Sequence, residues 1–422
     1  MKKILVAFAF VVWGAFGATV ASATCADGYF EYGADCIESK FEITTISMSA
    51  GDVFEFSMTA IGTFYVDWGD QVQEFIRTDT TPTSYSHEFA TGGVKTIRFG
   101  GLATGYSATE VPAISFKENT FIQILSGSLG AIFPTLGATI GYQPRFHETF
   151  IRCTNLKQIP STLFNGVTGS ISKMFSFAFA YDSNLESIPA GLFNGVTGGA
   201  SGMFNATFVN CAKIPAIPSG LFDGITSPEN AMFRQTFQNC YGLTRLPDGL
   251  FRNITGGGGN MVFFMTFYNC KNITGYVPTN FFGSNLSTNN NNMHQVFDNT
   301  KLYTTCPCGT HQYTTGYESV WNSKVSCTVG LKPNEHWYNG RCSAICDAGI
   351  TWLKTSTGLS LLLVAEKVTT PSIHISYNDK ICYVPLMAGN ANNAVNLAWA
   401  GNTYHTFLPD DITPNGFTGQ PE

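Results

Sequence analysis

Large apolar residues recur at a fixed interval through the middle of the chain. Six phenylalanines lie 29 or 30 residues apart, and another large apolar residue lies four residues before each of them. The first set is Phe150, Phe179, Phe208, Phe237, Phe267 and Phe297, and the second is Phe146, Phe175, Phe204, Phe233, Phe263 and Met293. One such unit cannot bury its own apolar face, whereas stacked units place Phe on Phe. The repeat therefore predicts a solenoid.

Each unit is predicted to contain a helix, a short strand and a tight turn. An apolar pair at i and i+4 lies on one face of a helix, and Pro228 followed by Glu229 is typical of a helix start. Residues 156–159 precede Pro160 and are expected to be extended. A Leu-Phe-x-Gly turn and a Gly/Thr-rich linker then lead to the next unit. The predicted fold is an α/β leucine-rich-repeat-like solenoid.

The flanking regions show patterns typical of strands. Apolar and polar residues alternate through 41–110, and short strand-like runs recur between 347 and 422, so both regions are predicted to be all-β. The predicted organisation is a signal peptide at 1–23, a disulfide loop at 24–40, a β-sandwich at 41–110, the solenoid with its N-terminal cap at 111–307, a Cys-rich linker at 308–346 and a small C-terminal β module at 347–422.

The chain begins like an exported protein. Lys2 and Lys3 precede an apolar stretch at 4–20, and Ala-Ser-Ala at 21–23 fits a cleavage site after Ala23. An uncleaved anchor is the alternative, although the stretch is at the lower limit for a membrane span. Lipidation of Cys25 is disfavoured because Thr24 precedes it. We expect a secreted or cell-surface protein with no transmembrane span in the mature chain.

The cysteines fall into two classes, and export makes disulfides possible. Cys25 and Cys36 bracket a short loop, Cys327 and Cys342 bracket a similar one, and each loop is predicted to be closed by a disulfide. The sequence leaves Cys306, Cys308, Cys346 and Cys382 unassigned. Zinc is an alternative at 306–308, but Cys-x-Cys is not the usual Cys-x2-Cys knuckle. The repeat cysteines Cys153, Cys211, Cys240 and Cys270 are predicted to be buried and reduced.

The repeat resembles a known family. The pattern Phe-x-Asn-Cys-x-x-Leu-x-x-Ile/Leu-Pro, found at 237–247, is similar to that of the BspA-type leucine-rich repeats over about 145–307. The unit here is longer, and its linkers are richer in Gly and Thr. The resemblance implies a bacterial surface protein that binds host or neighbouring cells.

The N-terminal β region carries a second resemblance. Val66-Asp67-Trp68-Gly69-Asp70, followed by Tyr85-Ser86-His87-Glu88-Phe89, is similar to the PKD-type sandwich, although Gln71 stands where that family has glycine. The resemblance implies that this segment shapes a turn and packs its aromatic residue. Calcium binding or catalysis by Asp67 and Asp70 is the alternative interpretation.

Composition and the absence of known motifs argue against several classes of function. Charged residues make up 12% of the chain and its net charge is −6, so no basic surface for nucleic acid or anionic lipid is expected. The sequence contains no His-Glu-x-x-His, Gly-x-Ser-x-Gly or P-loop motif. We therefore predict no catalytic, metal or cofactor site.

The predicted function is non-catalytic binding or adhesion to protein or glycan on host or neighbouring cells. A structural component of the cell envelope and, less favoured, a secreted hydrolase are the alternatives. Polar residues before the repeat prolines are predicted to form the binding face, because they vary between units on a rigid frame. They are Lys157, Gln158, Glu186, Ser187, Thr244 and Arg245.

Overall fold

The fold is that of a computed structural model. It describes residues 25–256, 258–284, 286, 290–306, 310–313 and 321–329, and the backbone of ten strands between 335 and 417. The predicted signal peptide at 1–23 lies outside the described residues. At the N-terminus, a hairpin pairs β1 (Tyr29–Tyr32) with β2 (Asp35–Glu38). The predicted Cys25–Cys36 disulfide closes it.

A two-sheet antiparallel sandwich follows the hairpin. Its strands are β3 (Phe41–Thr45), β4 (Val53–Met58), β5 (Ile61–Asp67), β6 (Val72–Arg77), β7 (Thr83–Glu88), β8 (Thr96–Gly105), β9 (Ile114–Ser115) and β10 (Ile122–Gly127). The larger sheet has the order β10-β3-β8-β5-β6, and the smaller has the order β7-β4-β9. Alternate side chains point inward, as a half-buried strand requires. Phe56 of β4 meets Phe99 of β8 at a ring-centroid distance of 5.4 Å, so the two inner faces form one core.

The sandwich and the repeats share an edge and a core. Strands β9 and β10 lie within 111–307, the range predicted for the repeats and their cap. β10 pairs with β3 on one side, and on the other the Leu125 amide donates to the Gln158 carbonyl at 3.0 Å. Phe116 stacks on Phe150 with centroids 5.4 Å apart. The last strand of the sandwich is therefore the first layer of the repeat stack.

The repeats stack as six layers, here called coils 1 to 6 after their phenylalanines Phe150 to Phe297. Amides of one coil donate to carbonyls of the next: Phe175 to Met203 and Phe204 to Met232, each at 2.9 Å. The α/β prediction is nevertheless wrong. Among the described residues the only helices are a 3-10 turn at Ile140–Tyr142 and α1 (Asn290–Met293), which has four residues. The single regular strand pair within the described coils is parallel, between β11 (Thr274–Gly275) and β12 (Lys301–Leu302).

Overlapping β-turns replace the predicted helices. In coil 2 the amide of Ser176 donates to the Lys173 carbonyl, and that of Ala178 donates to the Phe175 carbonyl. The Phe177 amide between them donates to the Asn205 carbonyl of coil 3. Every fourth residue has a positive φ, as at Lys173 (57°), Phe177 (55°) and Tyr181 (67°). Because the turn pattern repeats every four residues, Phe175 and Phe179 both face the core. An apolar pair at i and i+4 is therefore expected both for a helix and for this series of turns.

The turns also explain the Asn-Cys motif. Asn210, Asn239 and Asn269 each have a φ of 61°, and asparagine tolerates this left-handed region better than most residues do. Their side chains form a ladder across the coils: Nδ2 of Asn239 donates to Oδ1 of Asn210 at 2.9 Å, and Nδ2 of Asn269 donates to Oδ1 of Asn239 at 2.7 Å.

Three columns of stacked phenylalanines form the core of the coils. One representative pair from each column is Phe204–Phe233, Phe208–Phe237 and Phe222–Phe251, with centroids 5.4, 5.7 and 5.7 Å apart and interplanar angles of 6, 4 and 9°. Trp321 packs against Phe282 and Phe297 at the C-terminal end of the stack. There Lys324 Nζ donates to the carbonyls of Thr300 and Leu302. Both ends of the aromatic stack are therefore covered.

The second disulfide differs from the prediction. Cys327 pairs with Cys306, so the predicted Cys327–Cys342 bridge and a zinc site using Cys306 are both wrong. The Val325 amide donates to the Tyr303 carbonyl at 3.0 Å, which brings 327 beside 306. β14 (Ser326–Val329) then pairs with β13 (Thr310–Tyr313). Cys342 lies opposite Trp337 in a separate hairpin, formed by β15 (Glu335–Tyr338) and β16 (Arg341–Ala344).

The C-terminal region is built from antiparallel strands, as the sequence predicted. They are β17 (Ile350–Thr355), β18 (Gly358–Leu363), β19 (Ile373–Tyr377), β20 (Lys380–Met387), β21 (Val395–Trp399), β22 (Thr403–Phe407), β23 (Ile412–Thr413) and β24 (Gly416–Phe417). Strands β19 to β22 form one sheet in sequential order, while β17–β18 and β23–β24 are hairpins. Within the part of the chain that the structure describes, no helix is long and apolar enough to cross a membrane.

Candidate functional site

The predicted binding residues lie at matching positions on the surface of the coils. All are exposed except Lys157, which is half-buried. Lys157 and Glu186 lie on adjacent coils, since the Glu186 amide donates to the Lys157 carbonyl at 3.0 Å. Thr244 and Arg245 lie two coils beyond Glu186 and Ser187. Coil 3 carries Pro215 and Ala216 at the equivalent positions, so the six residues form two groups rather than an unbroken polar row.

A groove of about 510 Å³ lies beside Arg245. Coils 3, 4 and 5 all contribute to it. Its lining comprises Ala216, Ile217, Ser219, Arg245, Leu246, Pro247, Asp248, Thr274, Gly275, Tyr276 and Pro278. Pro215 and Pro218 have no amide hydrogen to donate, and no backbone hydrogen bond joins described residues 213–218 to 242–247. The small Ala216 side chain adds to the space there.

An inserted residue forms one wall of the groove. Three residues lie between the buried apolar residue and the proline in coils 1 to 4, as between Leu243 and Pro247, but four lie between Ile273 and Pro278 in coil 5. Val277 takes the buried position, and Tyr276 is the extra residue, 39% exposed. Gly275, with a φ of 96°, permits the altered backbone path. The spacing of 31 between Pro247 and Pro278 was the sequence signal for this insertion.

The groove carries charged and hydroxyl groups that are free to bind a ligand. Ser219, Arg245, Asp248 and the Tyr276 hydroxyl make no hydrogen bond or ion pair with the described residues. In a groove of about 440 Å³ on the sandwich, by contrast, Lys117 pairs with Glu148 and Glu118 pairs with Arg152. In a third, of about 520 Å³, Lys40 Nζ donates to the Gly101 carbonyl. The groove at Arg245 thus presents unpaired charges of both signs, whereas Lys40, Lys117 and Glu118 in the other two grooves are held by protein groups.

The repeat cysteines have a structural role. As predicted, Cys153, Cys211, Cys240 and Cys270 are buried and free. Each thiol donates to the carbonyl of a phenylalanine on the preceding coil, as Cys211 does to Phe179 at 3.0 Å. Burial raises the pKa of the Cys270 thiol to about 12, and it raises the pKa of the other three as well. The thiol is therefore the form present at neutral pH, and these cysteines are poor nucleophiles.

Asp182 takes the cysteine position in coil 2. It is fully buried, and neither carboxyl oxygen has a hydrogen-bond partner. Burial raises the pKa of Asp182 well above its ordinary value. The nearby backbone of Cys153 lowers this pKa, but by less. The equivalent acceptor on the preceding coil is the Phe150 carbonyl, to which only a protonated carboxyl can donate. Asp182 is a titratable group of the core, away from the groove.

Asp67 and Asp70 hold a turn together. Asp67 accepts from the Gly69 amide at 2.8 Å and pairs with Arg98 at 3.0 Å. Asp70 contacts His87, whose ring stacks on the buried Trp68. These contacts account for both carboxylates without a ligand. No group of three or more His, Cys, Asp or Glu residues in the described part of the chain is placed to hold a metal ion.

Comparison with known proteins gives no match: no family model, curated protein or solved structure is similar to this chain. The resemblances to BspA-type repeats and to the PKD-type sandwich rest on the residues quoted above.

Proposed function

We propose that the protein is a non-catalytic binding or adhesion protein of the cell exterior that recognises protein or glycan on host or neighbouring cells. The observation that carries the proposal is the groove beside Arg245, where the side chains of Ser219, Arg245, Asp248 and Tyr276 meet without a partner among the described residues. Binding sites are concave and carry a few polar groups that fix the ligand. Placement outside the cell is supported by the Cys25–Cys36 and Cys306–Cys327 disulfides.

The stacked coils suit recognition because they hold the surface rigid. Their aromatic columns leave little freedom to the segments between them, so a ligand does not have to order a loop before it binds. A structural component of the envelope would use the same core, but it would not need free polar groups in a groove. That difference favours binding over a purely structural role.

The test is the binding of the labelled full chain to bacterial and epithelial cells. Replacing Glu186 and Arg245 together by Ala should lower binding about fivefold or more, as loss of an interface anchor does. The melting temperature should not change, because exposed substitutions usually alter stability by less than about 0.5 kcal/mol.

A matched control removes the exposed pair Lys173–Glu110, which lies on the turn side of the coils with charged atoms 2.6 Å apart. Replacing both residues by Ala deletes the same two charges away from the predicted face and should leave cell binding unchanged. If the wild type binds no cells, or if the Glu186/Arg245 variant binds as well as the control, the proposal is wrong.

A further inference from the structure

We infer that the groove between coils 3, 4 and 5 binds a neutral sugar residue of an extracellular glycan. This rests on the proposed function and specifies its ligand. The groove combines four free polar side chains with an exposed aromatic ring, and these two features together restrict the chemistry of what it holds.

The polar groups require a ligand that both donates and accepts hydrogen bonds. Arg245 supplies only donors, Asp248 supplies only acceptors, and the hydroxyls of Ser219 and Tyr276 supply both. All four line the same groove and lack partners among the described residues. A sugar hydroxyl is itself donor and acceptor, so neighbouring hydroxyls of one ring can satisfy the carboxylate and the guanidinium at once.

The apolar part of the groove also favours a sugar as the ligand. Within 146–306 the large apolar side chains that are exposed are all tyrosines, Tyr181, Tyr241, Tyr276 and Tyr303. Tyr276 is the one that lines the groove, beside Leu246, Pro247 and Pro278. Tyrosine presents an apolar face with a polar end. A pyranose ring has the matching character, because its C–H face is apolar and its rim carries hydroxyls.

The charges exclude an anionic ligand. Arg245 and Asp248 contribute one positive and one negative charge to the lining, and they are the only charged residues in it among those that the structure describes. A phosphate or carboxylate drawn to Arg245 would also meet Asp248 and be repelled by it. A neutral ligand meets no such penalty.

On the coil 5 side of the groove, the backbone disfavours an extended peptide. A peptide that adds a strand to a sheet needs free backbone groups at an edge. At the groove, the Thr274 amide donates to the Thr244 carbonyl at 2.9 Å, and the Gly275 carbonyl accepts from the Tyr303 amide. A peptide strand cannot be added at Thr274 and Gly275, so on the coil 5 side of the groove recognition falls to side chains.

The experiment uses the full chain on an array of neutral oligosaccharides ending in hexose or N-acetylhexosamine, followed by calorimetric titration of the best-bound oligosaccharide. Tyr276→Ala should lower its affinity about tenfold or more, since it removes the stacking surface, and Tyr276→Phe should retain most of it. Tyr181→Ala is the control, because Tyr181 is also 39% exposed and lies outside the groove. Affinity should change by less than about twofold between roughly 0.05 and 0.5 M NaCl, since the ligand is neutral.

Two results would overturn the inference. One is the absence of array binding by a wild-type chain that still binds cells, with cell binding abolished by protease treatment of the cells; the ligand is then a protein, and the proposed function stands. The other is glycan binding that Tyr276→Ala leaves unchanged, which would place the sugar elsewhere on the protein, and on the Tyr181 surface if Tyr181→Ala weakens it. Failure of the wild type to bind any cell would contradict the proposed function itself.

Discussion

At the scale of single residues, Asp182 shows what one departure from the repeat does. The same position holds cysteine in four coils and threonine in coil 6. The cysteine thiols donate to the preceding coil, whereas an ionised carboxylate has no proton to donate. An aspartate in the unfolded chain ionises above a pH of about 3.9. In the folded chain burial keeps Asp182 protonated to a higher pH, because its pKa is raised.

The sign of the pH dependence follows from this difference. Above the unfolded pKa the folded state binds the extra proton, so the free energy of unfolding falls as the pH rises toward the folded pKa. Asp182→Cys restores the repeat residue and removes the titration. We expect it to raise the free energy of unfolding at pH 7 by about 1–3 kcal/mol, the usual cost of an unsatisfied buried polar group.

Chemical denaturation of Asp182→Cys and wild type at pH 7 and at pH 4.5 provides the measurement. The difference in the free energy of unfolding between the two proteins should be smaller at the lower pH, because less of the unfolded chain carries an ionised aspartate there. Asp182→Asn, which does not titrate, controls for the loss of charge without a thiol. An equal difference at both pH values would show that Asp182 is ionised in the fold.

At the scale of elements, the phenylalanine columns hold the coils together. Phe237 is fully buried and stacks on Phe208 and Phe267. Phe237→Ala should lower the free energy of unfolding by about 3–5 kcal/mol, the range for removing a buried aromatic ring from a packed core. Thermal and denaturant unfolding of the variant measures it.

Phe177→Ala is the matched comparison for that substitution. Phe177 is half-buried and packs on a small cluster outside the columns, formed with Ile151, Ala180, Ala206 and Val209. Its loss should destabilise the protein less. Equal costs for Phe177→Ala and Phe237→Ala would mean that the columns are not the main core.

The elements also show which features of the fold can be predicted from the sequence. A repeat of 29 residues was enough to predict stacked units and buried cysteines, because only stacking buries these apolar positions. It was not enough to predict the backbone. Phe175 and Phe179 are four residues apart, which is near one helical turn and also equals one period of the turn ladder. The positive φ values at Lys173 and Phe177 have no sequence signal, since neither residue favours them.

The candidate site was predictable in part for a similar reason. Thr244 and Arg245 follow from the register of the repeat, and both lie where the register puts them. Ser219, Asp248 and Tyr276 belong to different coils and to an insertion, so their meeting depends on how coils 3, 4 and 5 stack. The long interval before Pro278 marked the insertion, but not the side of the coil on which Tyr276 would lie.

At the scale of the whole molecule, the coils form a stack that is continuous with the sandwich through β10 and Phe116. In a stack of this kind, each layer contacts mainly its neighbours, so stability is close to a sum over layers and interfaces. Removing one complete layer in register leaves every remaining interface of the same type. Removing half a layer places phenylalanines opposite linkers.

The register of the layers predicts how two deletions will affect folding. Deleting 212–240 removes 29 residues and joins Cys211 to Tyr241 at the same point of the coil. The shortened chain should still give a soluble protein with one sharp thermal transition, although less stable than the full chain because one layer of core is lost. It should also lose the groove, which depends on Ala216 and Ser219 of coil 3.

The control is a deletion of 212–226, about half a coil, which shifts the later phenylalanines out of register with the earlier ones. It should give no cooperative transition, because the contacts of the last coils, such as that of Trp321 with Phe297, depend on the register. Size-exclusion chromatography and thermal unfolding of the two chains make the comparison. The half-coil deletion removes fewer buried residues than the full-coil deletion, so only its break in register can make it the less stable of the two. If it folds as well as the full-coil deletion, the register of the phenylalanine columns does not organise the molecule.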